Sequence, residues 1–185
     1  MPMAADGTLW LLAGRPGMGK TALARCVVRR VREQGRAAYF TAEDMPMTVN
    51  GIEGFLTTWG GADLIVIDEL RDLREYRRGT AGEIPRLLAQ LKVLSAQTGS
   101  PVLLLSGLSR RVEYRRDHVP RLTDIPRWTD LSTWLDGAAL LYRAAYYDPQ
   151  ADRTSARCLI ARRPFRMMVP IELHWDDSAC TFDTE

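Results

Sequence analysis

Short apolar runs alternate along this chain with stretches whose apolar residues recur at helical spacing. The first run, Thr8–Ala13, carries Leu9, Trp10, Leu11 and Leu12 and predicts a buried strand. From Thr21 to Gln34, residues Leu23, Ala24, Val27, Val28 and Val31 form one stripe, with Arg25, Arg29, Arg30 and Arg32 largely opposite. That spacing predicts an amphipathic helix with a solvated basic face. Gly35 ends it, and Ala37–Thr41 predicts a second strand. Val49–Trp59 predicts one short helix on a weak pattern, because Gly51 and Gly54 interrupt it. Asp63–Asp68 is a continuous apolar run closing on an acid, the form of a central parallel strand. Ile84, Leu87, Leu88, Leu91 and Leu94 mark a further helix, with Pro85 in its first turn and Gly99 past its end. Val102–Ser106 and Gly137–Arg143 predict strands, Arg157–Arg162 and Val169–Trp175 a hairpin around Pro164, and Thr181–Asp183 a last short strand. Residues 70–82 and 107–130 are polar, rich in arginine, and read as loops or helix ends. The whole predicts one α/β domain over residues 1–185: a mostly parallel central sheet flanked by helices, with an antiparallel hairpin at its C-terminal end.

Between the first strand and the first helix lies Gly-Arg-Pro-Gly-Met-Gly-Lys-Thr, residues 14–21, which fills the phosphate-loop pattern G-x-x-x-x-G-K-[ST]. Glycines let successive backbone N–H groups turn inward as an anion nest, and the helix N-terminus adds partial positive charge. The candidate nucleotide contacts are Gly14, Arg15, Pro16, Gly17, Met18, Gly19, Lys20, Thr21 and Ala22. Lys20 has the reach for the β/γ-phosphates and the Thr21 hydroxyl is a Mg²⁺ ligand of the right kind. Asp68, at the end of an apolar strand, fits the second half of such a site as the acid that holds Mg²⁺ through water. ATP and Mg²⁺ are therefore the expected ligands. A glycine-rich turn that binds nothing is the competing account, and it leaves the full match in a strand–loop–helix context unexplained.

Composition narrows the field only a little. A net charge of +2 makes nucleic-acid affinity a matter of local clusters. Two exist: Arg71, Arg74, Arg77 and Arg78, and then Arg110, Arg111, Arg115 and Arg116. Glu113, Asp117 and Asp124 are interspersed in the second, so solvated loops are the alternative there. Cys26, Cys158 and Cys180 have no metal or disulfide spacing, which suits a reducing cytosol. No apolar run approaches the ~18 residues of a membrane span, and the N-terminus lacks a signal peptide's layout. A cytoplasmic protein without a membrane anchor is expected.

The order of these motifs resembles the RecA-like ATPase domain of DnaB-type replicative helicases. The phosphate loop is close to that family's A-R-P-x-M-G-K-T, Tyr39-Phe-Thr-Ala-Glu43-Asp-Met-Pro46 to its F-S-L-E-M-P, and Leu64-Ile-Val-Ile-Asp68 to its L-I-V-I-D. Glu83-Ile-Pro-Arg-Leu-Leu88 and Pro101-Val-Leu-Leu-Leu-Ser106 are similar to its E-I-S-R-S-L and P-V-x-x-L-S. Ser109-Arg110, Val112-Glu113, Leu141-Tyr-Arg143 and Tyr146-Tyr-Asp148 continue the likeness, which runs from about residue 8 to 183. The resemblance implies a RecA-like P-loop NTPase fold in which Glu43 polarises the attacking water, with Asp44 and Glu69 as neighbouring competitors. It also implies that Arg162 and Arg163, following Ile160-Ala161, reach into a neighbouring subunit's site as arginine fingers. A solvated hairpin edge is the plainer role for both. An oligomer is implied, a hexamer if helicase-like, as are single-stranded DNA bound through the two arginine clusters and a replication or accessory protein partner.

Four departures qualify what the resemblance implies. Gly107 stands where the family's L-S-Q-L motif has the Gln that senses the γ-phosphate. The later D-L-R-E-S-G element is replaced by Asp124-Ile-Pro-Arg-Trp-Thr-Asp130. The stretch from Lys20 to Asp68 is short for the family, so helices there are expected to be missing, and little precedes the first strand, so the family's N-terminal domain and linker helix are expected to be lacking. Two functions follow. One is an ATP-hydrolysing, DnaB-like motor domain acting on single-stranded DNA in replication or a related process, with Tyr76, Tyr114 and Trp128 available for base stacking. The other is a nucleotide-dependent switch or accessory protein with slow hydrolysis that acts through a protein partner, a reading Gly107 favours. A small-molecule kinase shares the loop but not the later blocks.

Overall fold

The computed structural model describes residues 7–43, 47–78, 83–176, 178–179 and 181–183. Its eight strands are β1 (Leu9–Gly14), β2 (Ala37–Thr41), β3 (Leu64–Asp68), β4 (Val102–Gly107), β5 (Gly137–Tyr142), β6 (Ser155–Arg162), β7 (Met168–Asp176) and β8 (Thr181–Asp183). They form one sheet in the order β2-β3-β4-β1-β5-β6-β7-β8. The pairings β2–β3, β3–β4, β4–β1 and β1–β5 are parallel, and those from β5 to β8 are antiparallel. A mostly parallel sheet ending in antiparallel strands is what the sequence predicts, and the structure adds the strand order. β1 lies between β4 and β5, so the loop leaving its C-terminal end opens onto the crevice where doubly wound sheets bind ligands.

Alternation along the strands divides the core. Leu9, Leu11, Ile65, Ile67 and Leu104 face the helices α2 (Val49–Trp59) and α4 (Glu83–Thr98), meeting Ile52, Leu56, Leu87 and Leu91. Leu12, Leu64, Val66 and Leu105 face the helix α1 (Lys20–Arg32) on the other side, meeting Ala24 and Val28. Strands buried on both faces read as continuous apolar runs, which is why Leu64, Ile65, Val66 and Ile67 are all within 1% of full burial. Truncating Leu91 in that interior would cost about 2–5 kcal/mol.

Local chemistry sets the helix ends. α2 begins where the Thr48 hydroxyl accepts from the Gly51 N–H at 3.0 Å and ends at Gly60, whose φ of 81° supplies the left-handed cap. The basic last turn of α1, with Arg29, Arg30 and Arg32, suits its negative C-terminal end. Between β2 and β3 the described chain holds the single helix α2.

The arginine-rich stretches are more structured than the sequence suggests. A short turn at Leu70–Asp72 and the helix α3 (Arg74–Arg78) fill most of the first, and residues 79–82 lie outside the described ones. The second folds into turns at Arg110–Tyr114 and Leu122–Asp124 and a helix α5 (Trp128–Ser132), pinned by the buried Val112, Ile125 and Leu131. Too few apolar positions, too widely spaced, mark these turns in the sequence.

Candidate nucleotide site

The phosphate loop crosses from Gly14, at the end of β1, to Lys20, where α1 begins. Gly17 and Gly19 hold φ of 81° and 95°, the left-handed region that favours glycine. A Cβ on Gly17 would stand 2.9 Å from the Tyr146 ring, and one on Gly19 would stand 3.0 Å from both Trp175 and Phe182. Those last two rings form a floor under the loop, supplied by β7 and β8. Met18 is buried and anchors the loop, while Pro16 and Gly17 are exposed. The Lys20 stem runs over Gly14, whose Cβ would come 3.2 Å from Lys20 Cγ. A cavity of about 530 Å³ opens beside the loop, lined by Gly17, Gly19, Lys20, Thr21 and Ala22 with Arg25, Arg29, Ala179 and Thr181. Its glycines, cations and helix N-terminus suit a phosphate chain.

Beneath the loop the Thr21 hydroxyl donates to Asp68 Oδ2 at 2.8 Å, and the Tyr39 hydroxyl donates to the same oxygen at 2.5 Å. Burial, and then the bond to Asp68, pushes the Tyr39 phenol above its ordinary range. Burial likewise pulls the Lys20 ammonium below the usual lysine value, opposed by Glu69 and then Asp68. Among the described residues no three His, Cys, Asp or Glu side chains cluster as a metal cage. The adjoining Thr21 hydroxyl and Asp68 carboxylate are instead the hard oxygen donors that suit Mg²⁺ completed by phosphate oxygens and water. The residues present therefore fit that ion.

Other predicted site residues are placed as follows. The Arg15 side chain turns away from the cavity: Nη1 donates to the Leu108 carbonyl at 2.8 Å, and Nε and Nη2 to Glu113 Oε1 at 2.9 and 2.5 Å. Glu43 follows β2 and is exposed, lining an adjoining groove with Arg25, Arg29, Tyr39 and Thr41. Asp44 lies outside the described residues. Glu69 is 14% exposed and accepts from the Gly107 N–H at 2.9 Å. Gly107 is level with Gly14 across the β1–β4 pair. Arg162 pairs with Gly137, which is level with Trp10, so it lies near the start of β1, about 13 Å along the strand from the loop at ~3.3 Å per residue. Its guanidinium sits 5.7 Å from the Trp10 ring centroid. Arg163 donates to the carbonyls of Ser132 and Thr133, capping the end of α5. Neither arginine meets the phosphate loop of its own chain.

One expected DNA contact is corrected. Arg115 is bound to Asp124, Nη1 to Oδ1 at 2.8 Å and Nη2 to Oδ2 at 2.5 Å, and it donates to the Val119 carbonyl at 2.6 Å. Asp124 is 2% exposed, so Arg115 neutralises a buried charge and is not free for phosphate. Arg71, Arg74, Arg77, Arg110, Arg111 and Arg116 are more open to solvent. Sequence reasoning missed Tyr39, Arg25 and Arg29. The signal for Tyr39 was a phenol in an otherwise apolar strand neighbouring β3, two residues before Thr41, which pairs with Asp68.

A mostly parallel sheet with a phosphate loop after its central strand, ending in antiparallel strands, defines a RecA-like P-loop fold. The family model described as the DnaB-like helicase C-terminal domain matches residues 52–184, a span that begins after the loop itself. A probable plasmid replicative DNA helicase of Chlamydia psittaci is 24% identical over a 214-residue alignment that takes in 84% of this chain and 47% of that protein. The replicative DNA helicase DnaB of Geobacillus stearothermophilus is 36% identical over 98 residues, 50% of this chain and 21% of its own. The chain thus spans less than half the length of these relatives. Among solved structures, an ATPase domain superposes with a TM-score of 0.84 at 19% identity, over 98% of this chain and 86% of that one. A DnaB-like replicative helicase whose structure addresses its interactions with primase gives 0.83 at 20%, over 98% and 60%. At such identities the structural likeness is one of fold. The chain belongs to the family of DnaB-like helicase C-terminal domains.

Proposed function

We propose that this chain is the ATP-hydrolysing motor domain of a DnaB-like machine that acts on single-stranded DNA in replication or a related process. The observation that carries the reading is the Thr21–Asp68 pair beneath a complete phosphate loop, with the Lys20 ammonium beside it. Backbone N–H groups of Gly17–Lys20 and the Lys20 side chain hold the β- and γ-phosphates. Thr21 and Asp68 hold Mg²⁺, which when bound neutralises charge developing on the phosphate oxygens. A water molecule attacks the γ-phosphorus in line, and a carboxylate at a neighbouring strand end orients it; family resemblance assigns that part to Glu43. Arg162 and Arg163 act on the site of the next copy, so hydrolysis depends on assembly into a ring, a hexamer by analogy. The arginines at 71, 74 and 77, and at 110, 111 and 116, track the DNA backbone, with Arg78 of the same helix α3. A cytoplasmic location suits this work, and no helix among the described residues is long and apolar enough to cross a membrane.

Gly107 favours a second reading, a nucleotide-dependent switch with slow hydrolysis that acts through a replication or accessory protein. Calorimetric titration with ATP, with and without Mg²⁺, followed by phosphate release, separates the accounts. Mg²⁺-dependent binding with steady turnover supports the motor, binding with negligible turnover supports the switch, and no binding removes both.

A further inference from the structure

The Asp68 carboxylate is held from two sides. Its Oδ2 accepts from the Thr21 hydroxyl at 2.8 Å and from the Tyr39 hydroxyl at 2.5 Å. Among the described residues no hydrogen bond reaches its Oδ1. The two holds differ in kind. Thr21 lines the cavity beside the phosphate loop, whereas Tyr39 comes from β2, at the edge of the sheet, and lines the adjoining groove. Tyr39 is level with Val66 in the β2–β3 pair, two residues short of Asp68 and about 6.6 Å back along the strand at ~3.3 Å per residue. Tyr39 and Val66 both pack on the α1 side of the sheet, and alternation puts Asp68 there too. A phenol leaning along the strand spans that gap: its ring packs on the apolar cluster and its O–H donates to the carboxylate.

We infer that Tyr39 is a positioning residue for Asp68: it fastens one carboxylate oxygen to β2 and leaves the other for the cation site. The inference rests on the reading of this site as one for ATP and Mg²⁺. That reading gives the Thr21 hydroxyl to the ion, so Thr21 serves two partners. Tyr39 serves only the carboxylate. Its bond to Oδ2 makes no demand on the ion and leaves Oδ1 for the water through which Asp68 would hold it. A carboxylate already fastened loses less freedom when it engages a ligand. Groups that orient a metal-binding side chain in this way are typically worth about 10–100-fold in metal affinity. The opposite role makes the opposite prediction: a Tyr39 bond that had to break before the ion could bind would weaken the site, and its removal would tighten it.

The test titrates ATP into the full chain at saturating Mg²⁺ and again in EDTA. It also titrates Mn²⁺, a paramagnetic stand-in for Mg²⁺ that favours the same oxygen donors, into the chain with ATP bound. Tyr39→Phe removes the hydroxyl and keeps the ring. The inference predicts Mn²⁺ binding weaker by roughly tenfold and ATP binding weakened in Mg²⁺, with ATP binding in EDTA within about twofold of wild type. In an Asp68→Ala chain, which lacks the carboxylate, Tyr39→Phe should weaken Mg²⁺-dependent ATP binding no further, because the partner it acts through is gone. Unchanged or tighter Mn²⁺ binding in Tyr39→Phe overturns the inference. Equal losses of ATP binding in Mg²⁺ and in EDTA overturn it too, as does a further loss in the Asp68→Ala chain, since either would mark a general effect on packing. If Tyr39→Phe does not fold, Tyr39→Ile, which also lacks the hydroxyl and suits a strand, is read in the same way. A wild-type chain that binds no ATP overturns the parent reading and this one together, whereas wild-type Mn²⁺ affinity in Tyr39→Phe removes only this one.

Discussion

Thr21 and Asp68, at the start of α1 and the end of β3, meet through a 2.8 Å hydrogen bond between side chains 47 residues apart in sequence. The hydroxyl donates to the carboxylate; on the proposed reading Thr21 and Asp68 would instead hold Mg²⁺ between them, the carboxylate through water. Thr21→Ala and Asp68→Asn should each lower Mg²⁺-dependent ATP affinity by roughly tenfold to a hundredfold, the size of a hydrogen bond to a charged group. They should leave the weaker Mg²⁺-free binding nearly unchanged. Titration with and without the ion checks this.

Lys20 supplies a cation at the head of the loop, partly stripped of water. On the proposed reading the Lys20 side chain would reach only the β- and γ-phosphates, so Lys20→Ala should weaken ATP binding by about 10–100-fold and AMP binding far less. Equal losses for both nucleotides would place the lysine elsewhere.

Arg115 and Asp124 predict an acid-sensitive clamp. Burial pushes the Asp124 carboxyl up, but the Arg115 guanidinium and the Arg121 N–H outweigh it and hold it below the usual carboxylate range. Its folded-state value thus lies below its unfolded value, near 3.9. The stability it contributes is present above that unfolded value and is lost as pH falls through the lower folded one. Urea unfolding from pH 7 to 3 should show a steeper decline for wild type than for Asp124→Asn. Arg115→Ala should destabilise the fold by about 3 kcal/mol at pH 7, because it strands a buried charge.

Arg162 and Arg163 differ in what they do within the chain. Arg163 caps α5, so its removal mixes structure with activity; Arg162 rests on Trp10 and is the cleaner probe. Arg162→Ala should leave ATP binding to dilute subunits intact and lower turnover in the assembled state, by about 10³-fold if it is a full arginine finger. Mixing it with a Lys20→Ala chain should restore some activity, since each supplies what the other lacks.

Much of the fold was legible because a sheet buried on both faces must be written in continuous apolar runs such as Leu64–Ile67, and because the phosphate loop compresses its chemistry into adjacent residues. What was not legible depends on contacts far apart in sequence. Arg15 and Glu113 are 98 residues apart, and only the fold tells that this loop arginine faces Glu113 and not a phosphate. Arg115 looked like its neighbours Arg111 and Arg116, and its bond to buried Asp124 sets it apart. The aromatic floor of Trp175 and Phe182 under Gly19 likewise follows from β7 and β8 folding back to α1, which no local pattern records. Glu69 stood in plain view beside Asp68, yet its burial and its hold on Gly107 belong to the packing of β3 against β4.

The central claim, an assembling ATP motor with shared sites, is tested most directly by steady-state phosphate release per subunit across a range of protein concentrations, with and without single-stranded DNA. The account predicts a rate per subunit that climbs with concentration and rises again when DNA is added. A rate flat in both variables would contradict it.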